Sequence, residues 1–362
     1  MTMRTRRLCS RRSAAMSHTR APLLSFGNQC GNSLVTDVQY ADVDDGWNYA
    51  HTQERYYRSA LVLLREAVDE WMAQADSVLP EDSAQGTEKK PIRFAVNLGD
   101  LVDGKNRHAG TTQAAIVDCK AAFEDFEARV GPVHHLVGNH ELYNITQEEF
   151  NDQLRWREAT QTYYDFTLRE HAPNARFIVL NSYGLSSLGR HGGPNDPVFQ
   201  EARHLLRQVN HNADLNSPLG LKGDEKRFVE YNAAIDAKQL AWLELTLSKA
   251  SANGEDVFIF THIPIHPKSC PTNCLLWNYD QVLQLLERFS DCVRVVFSGH
   301  VHGDGYAVSQ GVHFVVCDAI LECDRRAGET AHAIVDIHAD RVVINGRGKI
   351  PSRELHFGSS SS

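Results

Sequence analysis

No stretch of the sequence approaches the ~18 consecutive apolar residues that a bilayer-spanning helix requires, so a membrane is not an expected partner. Paired cysteines are missing as well. The eight cysteines (Cys9, Cys30, Cys119, Cys270, Cys274, Cys292, Cys317, Cys323) contain no CxxC, and no secretory apolar segment precedes them. Reduced thiols in a reducing compartment follow. Cys270 and Cys274 bracket "CPTNC", which offers half of a zinc site but has no second pair at a matching distance. Basic charge is scarce outside one segment. The net charge is −9, and residues 1 to 36 hold six arginines (Arg4, Arg6, Arg7, Arg11, Arg12, Arg20) and no acid, so without them the remainder carries −15. A body that acidic, with no basic face, is a poor partner for nucleic acid.

What is present is a long, core-forming chain. Hydrophobic residues make up 42% of the 362, enough for an extensive interior. The Arg- and Ser-rich, acid-free leader has the composition of an organelle transit peptide. Residues 1–32 are therefore set apart as flexible, and import into a mitochondrion or plastid stands as an expectation beside a cytoplasmic location. Residues 358–362, the "GSSSS" end, read as a solvated tail. Between them, strands and helices alternate. Residues 51–74 have helical apolar spacing and end before Pro80 and the polar linker "EDSAQGTEKK". "IRFAVNLGD" reads as a buried strand, followed by a helix around Ala114 to Arg129 and the strand "VHHLVGNH". A helix with Leu240, Leu243 and Leu247 on one face leads to "DVFIFTH", and a further helix leads to "VRVVFSGHVH".

The chemistry sits where those strands stop. A short strand, Ser33 to Thr36, delivers Asp37-x-Gln39; later strand ends carry Gly99-Asp100-x-x-Asp103, Gly138-Asn139-His140-Glu141, Thr261-His262 and Gly299-His300-x-His302. Each alone is weak: a GD after a strand is usually a turn. Five in succession place acids, amides and imidazoles at the carboxyl ends of apolar strands, where open α/β sheets build their sites, and predict a binuclear metal centre. Since its ligands run from Asp37 to His302, one domain over residues 33–357 is expected.

This ordered set resembles the signature of the calcineurin-like metallophosphoesterases. The departure from D-x-H to Asp37-Val38-Gln39 within "DVQYAD", together with "RYYR", "DLNSPLGL", "RFVEYN" and "CLLWNYDQ", looks like the manganese-dependent ADP-ribose/CDP-alcohol diphosphatases within that superfamily. The resemblance implies an α/β fold, two β-sheets packed as a sandwich with helices outside. It implies one divalent ion on Asp37, Gln39, Asp100 and His302, and a second on Asp100, Asn139, His262 and His300, with Asp100 bridging.

Manganese is the favoured metal, with magnesium or zinc compatible. An amide oxygen at Gln39 is a hard, neutral ligand, whereas imidazole favours zinc, copper and iron; the alternative is that Gln39 only caps its loop. His140, unassigned to a metal, is placed to stabilise or protonate the leaving oxygen, or else to act behind the ligands. Asp103 and Glu141 read as orienting the ligand loops, and His134, His135 and His266 as structural. The Gly-, Pro- and Asn-rich interval of about 142–235 reads as a substrate cap, with Tyr49, Cys274 and Trp277 forming the wall for a nucleoside. The implied reaction is hydrolysis of the phosphoanhydride of small nucleotide-diphosphate substrates, ADP-ribose and CDP-alcohols such as CDP-choline and CDP-glycerol, by a monomer. A phosphodiesterase or phosphomonoesterase on the same scaffold and a non-catalytic scaffold remain the alternatives.

Overall fold

A computed structural model describes residues 30–77 and 90–357; the leader before Cys30, the linker and the tail lie outside the described residues. The chain builds two six-stranded sheets. In the first the strands run in the order Arg353–His356, Arg341–Gly348, Ala331–Ile337, Cys30–Val35, Ile92–Asn97, Val133–His135. In the second the order is Gly305–Ser309, Val312–Val316, Val293–Ser298, Asp256–Phe260, Ala172–Val179, Tyr164–Leu168. Residues such as Leu34, Val96, Phe258 and Val295 are buried because these strands are covered on both faces. Between the sheets, Phe94 of the first meets Phe177 and Phe260 of the second edge to face, with ring centroids 4.9 and 6.3 Å apart. The sandwich anticipated from the sequence is thus present.

Helices close the outer faces. Tyr57–Ser77 buries Leu61, Leu64, Val68 and Trp71, one helical stripe, and the Trp71 indole donates to His332 of the first sheet at 3.1 Å. Ala237–Asn253 starts where the Asp236 carboxylate accepts the amide of Gln239 and stops at Gly254, in the left-handed region at φ 68°.

Four expectations are corrected. The first strand begins at Cys30, since Cys30 to Leu34 pair with Ile337 to Ala333, so the leader boundary moves back from 32. The first helix starts at Tyr57 and not at His51, because Glu54–Arg55 pairs with Gly46–Trp47 as a small hairpin. The single helix at 114–129 is two, Thr112–Ala121 and Glu124–Arg129. Finally, the interval 142–235 is not all cap. Tyr164–Leu168 and Ala172–Val179 are strands of the sandwich, with Phe166 and Phe177 inside while Arg176 pairs outward with Asp165 and Glu255. Their alternation is short and surrounded by polar residues, which hides it.

Parallel pairing is what positions the site. Cys30–Val35, Ile92–Asn97 and Val133–His135 run the same way, as do Ala172–Val179, Asp256–Phe260, Val293–Ser298 and Val312–Val316. Each sheet therefore presents several carboxyl ends along one edge, and the two edges meet: the amide of His300 donates to the Asp37 carboxylate at 2.9 Å, and His262 Nδ1 faces the carbonyl of Leu98.

Candidate metal centre

Backbone conformation marks the site before any side chain is considered. Among the described residues, seven other than glycine have positive φ, and five of them are Asp37 (50°), Gln39 (43°), Asp100 (58°), His300 (71°) and His302 (58°). That region costs a non-glycine residue about 1–3 kcal/mol and persists where the surroundings over-determine it. The surroundings here are close-crossing loops. A Cβ on Gly299 would lie 2.0 Å from Thr36 Oγ1 and 2.6 Å from Asp37 Oδ2, and one on Gly138 would lie 2.1 Å from Asp100 Oδ1. The glycines preceding His300 and Asn139 are thus the condition for bringing five strand ends together.

The seven predicted ligands converge. His262 Nε2 lies 3.4 Å from Asp100 Oδ2, 3.3 Å from Asn139 Oδ1 and 3.1 Å from His300 Nδ1. His302 Nε2 lies 3.2 Å from Asp37 Oδ1 and 2.7 Å from Gln39 Nε2, which is itself 3.3 Å from Asp100 Oδ2. Asp100 is common to both groups. The far nitrogen of each imidazole is occupied: His262 Nδ1 faces the carbonyl of Leu98 at 2.9 Å, His302 Nδ1 faces Glu322 Oε1 at 3.0 Å, and His300 Nε2 faces Asn232 Oδ1 at 2.8 Å. Those acceptors require an N–H, so each inward nitrogen carries the lone pair in the neutral ring.

Charge completes the case for cations. Burial works against ionised groups here, yet the opposing charges prevail. His302 holds the Asp37 carboxyl well below the usual range, and Asp100 and Asp37 push His262 and His302 each up to about 9. Burial, aided by the neighbouring His262, drives His300 down to about 3. Protons thus stand where cations would bind. Gln39 Oε1 is buried without a hydrogen-bond partner, and Asp37 Oδ1 lies near His302 without the alignment of a hydrogen bond. Gln39 turns Nε2, not Oε1, toward His302 and Asp100. With that amide rotated so that Oε1 faces the centre, two carboxylates, two amide oxygens and three inward imidazole lone pairs form a hard-to-borderline donor set that fits two divalent ions.

The neighbouring residues fall into place around this cluster. Glu141 accepts the amides of Gly138 and Asp100 at 2.9 and 2.8 Å and that of Leu101, tying two ligand loops together. Asp103 Oδ2 lies 3.1 Å from His140 Nδ1, while the amide of Gly104 approaches the same nitrogen at 3.1 Å. The two demands conflict, and the charge-assisted pair with Asp103 is the stronger. Burial opposes a charge on His140, but Asp100 and Asp103 outweigh it and raise the imidazole pKa. His134 stacks on Phe166 and meets the Tyr164 hydroxyl, His135 lies against Phe123, and His266 against Phe314. All three are packing residues.

The expected nucleoside wall is not assembled as anticipated. Trp277 is only 2% exposed, packs with Ala202, Leu206, Leu215 and Ala234, and donates its indole N–H to Val229. Its part is to hold the cap together. Tyr49 is 90% exposed in the hairpin turn. Cys274 is close enough to the centre for Asp37, after burial, to help push its thiol up to about 12. The described cysteines are all free, and no cysteine joins a metal-ligating cluster among the described residues. Sequence reading missed Asn232, Glu322 and Tyr183, which touch His300, His302 and Asn139. Only "RFVEYN" carried a signal for one of them.

Such a cluster at the joined edges of a two-sheet sandwich defines a binuclear phosphoesterase, and the family model of the calcineurin-like phosphoesterases matches residues 66–304: the chain belongs to that family. Its similarity to particular members extends further. It is 34% identical over 345 residues to the "Manganese-dependent ADP-ribose/CDP-alcohol diphosphatase" of Oryza sativa subsp. japonica, covering 94% of this chain and 96% of the relative. The protein of the same name from Homo sapiens is 32% identical over 358 residues, covering 95% of each. Among solved structures, a dimetal phosphatase of Danio rerio superposes with a TM-score of 0.80 at 31% identity, covering 91% of this chain and 99% of that one.

Proposed function

We propose that this protein is a two-metal hydrolase that cleaves the phosphoanhydride of ADP-ribose and CDP-alcohols, giving a nucleoside monophosphate and a second phosphate monoester. The observation carrying the reading is the convergence of Asp37, Gln39, Asp100, Asn139, His262, His300 and His302 in a chain similar over almost its whole length to enzymes named for that activity. Manganese-dependence in those names agrees with the amide donor at Gln39.

When bound, two divalent ions supply Lewis acidity toward the phosphoryl oxygens and lower the pKa of water. The chain's own residues do the rest. Asp100 would serve both ions, its Oδ1 steadied by the amide of His140 at 2.8 Å. Asn139 would ligate through Oδ1, which accepts the Tyr183 hydroxyl at 3.0 Å, while its Nδ2 donates one N–H to the Tyr143 hydroxyl at 3.4 Å and has a second for a phosphoryl oxygen. His140, held through Nδ1 by Asp103, keeps Nε2 as a donor for the departing oxygen. Water oxygen bonds to one phosphorus as the P–O–P bridge breaks, and the bridging oxygen leaves on the other phosphate.

Phosphorus NMR of the products tests this. With manganese, ADP-ribose should give two phosphate-monoester resonances and CDP-choline likewise. Turnover of a simple phosphodiester or monoester, with both anhydrides left intact, would assign the protein to a different activity of the same family.

A further inference from the structure

Asn232 lies outside the ligand set, in the cap, yet it is the point at which the cap grips one half of the centre. Its side chain is fully buried. Its Nδ2 donates to the carbonyls of Arg227 at 2.9 Å and Asn273 at 2.8 Å. Both N–H bonds being spent on carbonyls, the amide can have only one orientation, and Oδ1 must face His300 Nε2, 2.8 Å away. That contact decides the tautomer: Nε2 carries the proton and Nδ1 presents its lone pair toward His262, Asn139 and Asp100. The preceding residue grips a second ligand of the same group. The Tyr183 hydroxyl lies 3.1 Å from the carbonyl of Tyr231 and 3.0 Å from Asn139 Oδ1, its one proton shared between the two acceptors. The Tyr231 ring lies over His300, with centroids 5.8 Å apart. No hydrogen bond of this segment reaches Asp37, Gln39 or His302 among the described residues; His302 is served instead by Glu322.

We infer that Asn232 is a positioning residue for one ion only, the one taken by Asp100, Asn139, His262 and His300, and that through it the cap sets the retention of that ion. The inference rests on the two-ion reading. Partners of this kind behind a ligating imidazole typically contribute 10–100-fold in metal affinity.

Manganese binding to the full-length protein, followed by calorimetry and by electron paramagnetic resonance, tests it. Wild type should take two ions and show a spin-coupled pair; uptake of fewer than two overturns the two-ion reading and this inference together. Given two, Asn232→Leu, similar in size with no acceptor, should weaken one ion about 10–100-fold and leave the six-line spectrum of an isolated manganese at limiting metal. Asn232→Asp gives up both donations to the cap carbonyls but keeps an acceptor for His300, and should hold two ions at least as tightly as wild type. If Asn232→Asp loses metal as Asn232→Leu does, or if Asn232→Leu weakens both ions or neither, the residue only braces the cap and the inference fails while the two-ion reading stands.

Discussion

Gln39 is the residue on which the metal preference of this centre turns. Its amide sits between His302 and Asp100, the place where a second imidazole would bring affinity for softer ions. Gln39→His should therefore raise retention of zinc or iron against a chelator and lower the advantage of manganese, as measured by metal content after dialysis and by activity with each ion. An unchanged preference would leave Gln39 as a loop cap. The ligands were legible in the sequence because five strand ends in succession carry an acid, amide or imidazole, a coincidence that no one of them makes alone. The residues behind them were not. Asn232 and Glu322 each reach a ligating imidazole through a single hydrogen bond across 68 and 20 residues of chain. The sequence marks Asn232 only as the end of "RFVEYN", with no hint of its role, and no local pattern announces Glu322. Trp277 misled for the opposite reason: an aromatic residue in a polar stretch suits a pocket wall and a small satellite core equally, and only burial separates them.

At the scale of elements, the strands supply direction and the loops after them supply the site. Gly299 is the tightest of these joints. A methyl group there meets the Thr36 hydroxyl and the Asp37 carboxylate, both fixed in the interior. Gly299→Ala should therefore lower stability by about 1–3 kcal/mol, as overpacking does, and should also weaken metal binding, because what must yield is a ligand. A thermal melt and a manganese titration on the same variant check both halves; loss of stability with unaltered manganese affinity would show that the loop relaxes away from Asp37. Long strands and amphipathic helices were readable from periodicity, since burial on both faces or along one stripe leaves a plain record. Tyr164–Leu168 and Ala172–Val179 were not, because an edge hairpin with Arg176, Asp165 and Glu255 outward resembles a loop in composition. The hairpin that delays the first helix to Tyr57 is two residues long on each side, below what any periodicity resolves.

For the whole molecule, the protons on the centre link stability, metal and pH. Without ions, His262 and His302 titrate near 9 against an ordinary 6.5, because buried Asp100 and Asp37 face them. A raised imidazole pKa stabilises the folded chain fully below pH 6.5, and that contribution is lost as pH rises through 9. Cations must expel the same protons, so affinity rises across this interval, by roughly tenfold per pH unit for each proton released. Metal-free protein should melt at a lower temperature at pH 9 than at pH 6.5, while the increase in melting temperature on adding manganese should grow. An increase of equal size at both pH values would mean that no protons are displaced. The pairing of Cys30–Val35 with Ala331–Ile337 has a different kind of consequence. The strand carrying Asp37 has its partner at the far end of the chain, so on the ribosome, at ~5–20 residues per second, it waits on the order of tens of seconds with one edge open. During that interval the nascent first sheet is a template for stray strands, and the catalytic edge closes only when the last strands emerge.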